Sequence, residues 1–131
     1  MLLDTSGLLC CFDADDRRHQ DAIAFYDAAP LRLTHNYVIA EFVALTGARR
    51  LPRAVSLEFS TAIATDPETE VVWVDATLHD EAMDWLKSQL DKGYSLCDAV
   101  SFVVMRDRKL AEALTTDRHF EQAGFRRLLP S

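Results

Sequence analysis

The sequence predicts an α/β fold in which helices cover both faces of a mainly parallel sheet. Short apolar segments rich in Val, Leu and Thr alternate along the chain with longer segments whose apolar residues recur at helical spacing. Three of the short segments end on an aspartate, and the alternation itself is typical of βαβ units. The 131 residues contain no repeat, low-complexity tract or linker, so we expect one domain over residues 1–131.

The first half of the chain predicts two strands and four helical segments. "MLLD" is a short buried strand, and "TSGLLCCF" supplies cap residues and a helical turn. "RRHQDAIAFYDAA" is an amphipathic helix. Its inward residues are predicted to be Ala22, Ile23, Phe25 and Tyr26. "PLRLT" is a strand that follows a proline. The other two helices cover residues 36–47, ending at Gly47, and "PRAVSLEFSTAIAT", with Pro52 near its start.

The second half predicts up to three strands and three helices. "EVVWVD" has the β-branched and aromatic content of a strand, "EALTTD" is another, and "FRRLLP" is a candidate for the last. "TLHDEAMDWLKSQLD" is a helix capped by Thr77 and ending at Gly93. Its inward residues are predicted to be Leu78, Ala82, Trp85, Leu86 and Leu90. "SLCDAVSFVVMRDRK" is a helix, and "RHFEQAG" is a short one that ends at Gly124.

Composition narrows the classes of protein that fit. A net charge of −7 argues against a passive nucleic-acid-binding module, although Arg49, Arg50 and Arg53 form a basic cluster. That cluster fits either a solvated surface or local contacts with phosphates. No apolar run approaches the roughly 20 residues of a membrane span, and no basic region precedes the apolar N-terminus, so we expect neither a membrane anchor nor a signal peptide. Three cysteines, two of them adjacent, favour a reducing, cytoplasmic environment.

Glu41 is the most unusual acid in the chain. In "NYVIAEFVALTGARR" it shares a helix face with Tyr37, Val38, Phe42 and Leu45. A carboxylate in an apolar stripe is costly to desolvate unless a partner pairs with it. A salt bridge to an arginine is the structural explanation, and a role in a polar site is the functional one.

Four acids are expected to meet at one edge of the sheet. Asp4 and Asp117 end predicted strands, Asp98 lies in the first turn of a helix, and Glu41 follows the second strand. In open parallel sheets the functional site lies beyond the carboxyl ends of the strands. Each of the three aspartates also fits a local role, because Asp98 completes a capping box with Ser95 while Asp4 and Asp117 suit turns or caps.

Crowded carboxylates repel one another and stay ionised only if a cation neutralises them. Oxygen ligands without cysteine or histidine suit Mg²⁺ or Mn²⁺. Such an ion binds phosphate esters and lowers the pKa of a bound water for in-line attack. The four acids therefore indicate phosphodiester hydrolysis.

The order and wording of these motifs resemble PIN-domain ribonucleases, in particular the VapC-type toxins of bacterial toxin–antitoxin pairs. The resemblance rests on "LLDTSGLL", "VIAEFVAL" and above all "YSLCDAVSFVVMRDRKLAEALTTDRHFEQAGF", and it covers essentially the whole chain. It implies a three-layer α/β/α domain with a four- or five-stranded sheet, RNA cleavage dependent on Mg²⁺ or Mn²⁺, a VapB-like antitoxin and a homodimer.

The resemblance also implies roles for individual residues. Asp4 and Asp98 correspond to the principal metal ligands, and Glu41 and Asp117 complete the catalytic pocket. Thr5 or Ser6, and Thr116 beside Asp117, are expected to hydrogen-bond to the ligands. The arginine cluster at 49, 50 and 53 is a candidate for RNA contacts. Cys97 departs from the family pattern, in which a small polar residue such as threonine is more usual.

Two other classes of protein fit these observations less well. A receiver-like signalling module has adjacent acids after its first strand and a late lysine, whereas the only lysines here are Lys87, Lys92 and Lys109. The alternative within the same fold is a catalytically idle module that only binds RNA or an antitoxin. The presence of all four acids argues against the idle module. The sequence does not specify which RNA is cut.

Overall fold

A computed structural model describes all 131 residues and contains one five-stranded sheet between two layers of helices. The strands are β1 Leu2–Leu3, β2 Arg32–His35, β3 Thr69–Val72, β4 Glu112–Leu114 and β5 Arg126–Arg127. The helices are α1 Thr5–Phe12, α2 His19–Ala28, α3 Asn36–Ala48, α4 Arg53–Thr65, α5 Ala76–Ser88, α6 Leu96–Arg108 and α7 His119–Gln122. The predicted α/β class is confirmed.

All four strand pairings in the sheet are parallel, and the strands lie in the order β3-β2-β1-β4-β5. The chain builds outward from β1 to β2 and β3 on one side, then returns to place β4 on the other side. The order reverses between β1 and β4, which is where open α/β sheets form a crevice at the carboxyl ends of their strands. The fold therefore predicts a site beyond Leu3 and Leu114.

Successive residues of the central strands point into different hydrophobic cores. Leu2 and Ala113 pack with residues of α5 and α6 on one face, whereas Leu3 and Leu114 pack with α1, α3 and α4 on the other. All four are fully buried. This is the period-two alternation of a strand that is covered on both faces. None of the helices has the length and apolar character needed to cross a membrane.

Gly7 allows α1 to lie directly against β4. A Cβ atom at this position would stand 2.0 Å from the backbone oxygen of Leu114, which is far inside van der Waals contact. Because only glycine lacks that atom, only glycine permits this approach of helix and strand backbones. The close packing brings the first turn of α1 next to the residues that follow β4.

His35 connects β2 to α3. Its Nδ1 accepts a hydrogen bond from the Val38 backbone N–H and so caps the helix, while its Nε2 donates to the Ser101 hydroxyl at 2.8 Å. Burial lowers the pKa of His35 to about 3, so the ring is neutral near pH 7. The histidine thereby fixes the start of the helix that carries Glu41.

Two predicted strands end earlier than expected, for the same reason. β3 stops at Val72 rather than continuing to Asp75, and β4 stops at Leu114 rather than at Asp117. Val72 pairs with His35 and Leu114 pairs with Leu3, which are the last residues of the neighbouring strands. Because those neighbours then turn into helices, the longer strands lose their hydrogen-bonding partner.

Several details of the predicted helices were wrong. Helix α3 continues through Gly47, and the left-handed residue that follows it is Arg50. Asp75, not Thr77, caps α5 by accepting from the Leu78 backbone N–H at 2.8 Å. Phe25 and Leu90 were predicted to face inward but are exposed, Leu90 by 85%, because α5 ends at Ser88 before reaching it.

Candidate metal centre

Asp4 lies at the carboxyl end of β1, where it is buried and held by two hydroxyl groups. The Thr115 and Ser6 hydroxyls donate to Oδ2 at 2.7 and 3.1 Å, which leaves Oδ1 without a hydroxyl donor. Asp4 occupies the N-cap position of α1, but its side chain makes no capping hydrogen bond. The predicted capping role therefore does not explain this acid. Burial raises the pKa of Asp4 to about 6, and the nearby charge of Asp98 acts in the same direction.

Asp98 lies at the start of α6 and does form the predicted capping box with Ser95. Its Oδ2 accepts from the Ser95 backbone N–H at 3.1 Å, and the Ser95 hydroxyl accepts from the Asp98 backbone N–H at 3.0 Å. Oδ1 has no hydrogen-bond partner in the protein. Burial raises the pKa of Asp98, and the charge of Asp117 raises it further. One carboxylate thus stabilises the helix with one oxygen and keeps the other available.

Asp117 is positioned by its own loop and by the residues that hold Asp4. Its backbone N–H donates to the Thr115 hydroxyl at 3.0 Å, and its Oδ1 accepts from the His119 backbone N–H at 2.9 Å. The His119 ring lies between two acids, with Nδ1 3.1 Å from Oδ2 of Asp98 and 3.4 Å from Oδ1 of Asp117. Ligand atoms of Asp98, Asp117 and His119 all lie within 4.8 Å of one another.

Glu41 is half-buried on α3 and forms neither a salt bridge nor a hydrogen bond through its side chain. The arginine partner that was its structural alternative is absent. Glu41 acts on the same thiol as two of the other acids. Burial raises the pKa of Cys97, and the charges of Glu41, Asp4 and Asp98 raise it further. The carboxylates of Glu41, Asp4 and Asp98 therefore lie close enough to Cys97 to act on the pKa of its thiol.

No charged nitrogen of an arginine or lysine lies within 4.0 Å of a carboxylate oxygen of the four acids, and the His119 ring is the only basic group that does. Buried carboxylates without cationic partners are unfavourable, so the protein alone does not balance this cluster. The donor set is rich in hard oxygen atoms, and Asp98 and Glu41 retain oxygens that no protein group occupies. These residues fit a divalent cation bound at the carboxyl edge of the sheet.

Only some of the residues expected to hydrogen-bond to the acids do so in the structure. Ser6 bonds to Asp4, whereas the Thr5 hydroxyl is buried and has no hydrogen-bond partner. Thr116 contributes its backbone N–H, which donates to the Ser6 hydroxyl at 3.0 Å, and not its side chain. Thr115 takes the expected role because the pairing of Leu3 with Leu114 sets Asp4 beside Thr115.

Thr115 and His119 were both missed by reasoning from the sequence. The register of β1 against β4 would have found Thr115, but no local pattern specifies that register. The Asp-x-His spacing at 117–119 is a local signal that sets His119 beside Asp117.

The three arginines proposed for RNA contacts lie where α3 meets α4: Arg49 and Arg50 are in the turn, and Arg53 is the first residue of α4. Arg49, Arg50 and Arg53 are exposed and form no salt bridge. No contact connects them to the four acids. The largest groove of the protein, about 600 Å³, also lies away from the acids. Its lining includes residues that precede β1, β2 and β4, namely Met1, Leu31 and Leu110, which places it at the amino edge of the sheet.

A parallel α/β sheet that carries, at its switch point, a cluster of carboxylates without arginine or lysine partners defines the class of this protein: it is an α/β domain with an acidic site at the carboxyl edge of its sheet. Comparison with known proteins narrows that class. The model of the PIN domain family matches residues 1–126, and the chain belongs to this family. The resemblance drawn from the sequence motifs is thereby confirmed.

The chain is similar along nearly its whole length to a characterised toxin. It is 32% identical over 131 residues to the 23S rRNA-specific endonuclease VapC20 of Mycobacterium tuberculosis, in strains H37Rv and CDC 1551, covering 99% of this chain and 98% of the relative. The crystal structure of M. tuberculosis VapC20, described as a sarcin–ricin loop cleaving toxin, superposes with a TM-score of 0.86 at 31% identity, covering 95% of each chain. The three-layer fold expected from the resemblance is confirmed.

Proposed function

We propose that this chain is a metal-dependent endoribonuclease and the toxin of a VapB–VapC-type pair that acts in the cytoplasm. The observation that carries the proposal is the convergence of Asp4, Glu41, Asp98 and Asp117 without an arginine or lysine partner. A module that merely bound RNA would gain nothing from buried acids, which repel phosphates. A nuclease gains a site for a divalent ion that binds the phosphate.

The protein's residues hold and orient the ligands. Thr115 and Ser6 fix Oδ2 of Asp4, and Ser95 fixes Oδ2 of Asp98, so each carboxylate is held in one orientation at the pocket. When bound, Mg²⁺ or Mn²⁺ supplies positive charge for the phosphate and an acidified water for in-line attack. Glu41, which has no other partner, completes the negative pocket, and the packed helix α3 limits its movement.

The names of the relatives support ribosomal RNA as the substrate of this chain. We propose that it cuts 23S rRNA at an exposed loop. Cleavage is best tested with intact ribosomes, with total transfer RNA in parallel. In the presence of Mg²⁺ or Mn²⁺ we expect one discrete 23S fragment and intact transfer RNA. Cleavage of transfer RNA alone would contradict the substrate proposal while leaving the nuclease proposal standing.

The metal dependence is tested in the same assay. A chelator should abolish cleavage, and Mg²⁺ or Mn²⁺ in excess should restore it. Asp98→Asn should be inactive but folded, because asparagine caps a helix as well as aspartate does but lacks the charge that holds the ion. Undiminished cleavage in chelator, or a fully active Asp98→Asn protein, would refute the mechanism.

We also propose a homodimer that binds a cognate antitoxin. Phe25, Val55 and Leu57 expose apolar surface on α2 and α4 that a second copy of the chain could cover. An antitoxin segment that enters the pocket is expected to offer an arginine in place of the metal's charge. Light scattering at micromolar concentration should give the mass of a dimer, and a monomeric mass would contradict this proposal.

A further inference from the structure

The four-carboxylate mechanism assigns no role to His119, although its side chain lies in the pocket. Its ring lies among the acids, with Nδ1 3.1 Å from Oδ2 of Asp98 and 3.4 Å from Oδ1 of Asp117. We propose that His119 is itself a ligand, which adds a nitrogen donor to the ion held by these two aspartates and favours a transition-metal ion such as Mn²⁺ over Mg²⁺. This inference rests on the proposed metal site.

The spacing of the three donor atoms fits one shared ion. Neighbouring ligands of an octahedral ion with bonds of about 2.1 Å lie about 3.0 Å apart, and opposite ligands lie about 4.2 Å apart. The two distances from Nδ1 to the aspartates fall close to the neighbouring value, and all three atoms lie within 4.8 Å. The donors therefore need little movement to bind the same ion.

The ring is held in this orientation by groups that are not ligands. Tyr94 packs edge-on against it, with ring centroids 5.3 Å apart and an interplanar angle of 89°. At the other ring nitrogen, a Cβ atom at Gly93 would lie 3.7 Å from Nε2 and 4.0 Å from Cε1. The backbone N–H of His119 is bonded to Asp117. Packing and backbone contacts thus place Nδ1, not Nε2, toward the carboxylates.

The identity of the donor decides which ion the site prefers. Mg²⁺ takes oxygen ligands almost exclusively, whereas imidazole nitrogen is a good ligand for first-row transition metals. Binding through Nδ1 uses the tautomer that carries its proton on Nε2, and the contact between His119 and Asp98 is then replaced by two bonds to the same ion. A site of carboxylates alone would not discriminate in this way.

The direct test is pulsed EPR on the protein loaded with one equivalent of Mn²⁺. Wild-type protein should show nitrogen hyperfine coupling from a coordinated imidazole, and labelling with ¹⁵N-histidine should change it in the way the isotope requires. His119→Asn should lose that coupling while still reaching Asp98 with an amide group. His79→Asn is the matched control, because the ring of His79 bonds to the Tyr37 hydroxyl at 2.7 Å and not to a carboxylate; it should keep the coupling.

Calorimetry gives a second measurement that is independent of catalysis. The Kd for Mn²⁺ should rise at least about tenfold in His119→Asn, with a change of less than about threefold for Mg²⁺. Equal losses for both ions would overturn the proposal, because a hydrogen-bonding histidine that only orients Asp98 affects both alike. Bound Mn²⁺ without nitrogen coupling in wild-type protein would also overturn it, and that measurement needs no variant to fold. Failure to bind either ion would instead refute the metal site of the proposed function.

Discussion

The two edges of the sheet both bury charge, but they treat it differently. At the amino edge, Arg32 of β2 is almost completely buried and fully paired. Its guanidinium contacts Asp66 at 2.9 Å, the Tyr26 backbone oxygen at 2.8 Å and the Thr69 hydroxyl at 3.2 Å, and it lies 4.0 Å from the centre of the Tyr26 ring. Glu68 adds a second carboxylate at 3.6 Å. The protein itself supplies every partner that this cation needs.

At the carboxyl edge, the charges have the same sign and lack such partners. Asp4 and Asp98 are as well buried as Arg32, yet no arginine or lysine reaches them. Hydroxyl groups, backbone N–H groups and one histidine are their only donors. The chain surrounds the charge of Arg32 with partners of its own. None of its 11 arginines pairs with the four acids at the carboxyl edge.

The comparison separates structural from functional burial of charge. A buried ion pair that is complete within the chain needs no charge from outside the chain to balance it. A buried cluster of carboxylates needs a cation from outside the chain to balance its negative charge. The largest groove is at the amino edge and the acids are at the carboxyl edge, so the size of a cavity does not identify this site.

Replacing Asp4 with asparagine should have the largest effect on function. The change keeps an oxygen for the Thr115 and Ser6 hydroxyls but removes a negative charge from the proposed metal site. We expect RNA cleavage to fall on the order of a thousandfold with the fold intact. The measurement is the single-turnover rate of cleavage alongside circular dichroism.

Asp75→Asn is the matched control for Asp4→Asn. Asp75 caps α5 from an exposed position, and asparagine is an equally good cap, so its variant should cleave at the wild-type rate. If Asp4→Asn were equally active, the carboxyl edge would be a structural cluster like the amino edge, and the comparison would fail.

Replacing Arg32 with methionine should give the opposite pattern. Removing the guanidinium leaves the Tyr26 carbonyl without its donor and Asp66, whose side chain is 28% exposed, without its charged hydrogen bond. Each loss costs about 1–3 kcal/mol, so the free energy of unfolding, measured with urea, should fall by about 3 kcal/mol or more. Metal affinity should be unchanged, because none of these groups lies among the four acids.

Arg126→Met provides a surface reference for Arg32→Met. Arg126 pairs with Glu112 at 2.8 Å, but its side chain is 72% exposed. Exposed pairs contribute at most about 1 kcal/mol, so this variant should unfold close to wild type. A similar loss in both variants would mean that the buried cluster of Arg32 has no special role.

The sequence was sufficient to predict the fold class and the approach of Asp4, Asp98 and Asp117 at one edge of the sheet, because both follow from local patterns and one topological rule. Alternation of strands and helices implied a parallel sheet, and acids after strands imply one edge. It was not sufficient for features that depend on contacts between distant segments. Thr116 was chosen over Thr115 because only the register of β4 against β1 distinguishes them.

The same limit explains the misplaced core residues. Phe25 and Leu90 were assigned to the core from helical periodicity, which gives a face but not the point at which a helix ends or what covers it. Arg32 shows the reverse error, since a charged residue in "PLRLT" gave no indication that it would be among the most buried side chains. Its partners come from α2 and from the segment before β3, which no local pattern connects to it.

The pH dependence of stability should distinguish the two edges by the smallest but most specific effect. Burial raises the pKa of Asp4 to about 6 from an ordinary value of 3.8, so between these pH values the folded chain holds more protons than the unfolded chain. Stability that is present below about pH 3.8 is therefore lost as the pH rises to about 6 in metal-free protein. At 1.36 kcal/mol per pH unit, the loss is about 3 kcal/mol.

We expect wild type and Asp4→Asn to be similarly stable at pH 4 and the variant to be more stable at pH 7. Contributions from His35, whose pKa shift has the opposite sign, are present in both proteins and cancel in the difference. The difference between wild type and Arg32→Met should instead stay level from pH 5 to 8, because arginine does not titrate there. If the stability of Asp4→Asn relative to wild type did not rise between pH 4 and 7, the charge of Asp4 would be balanced within the chain, and the carboxyl edge would need no ion.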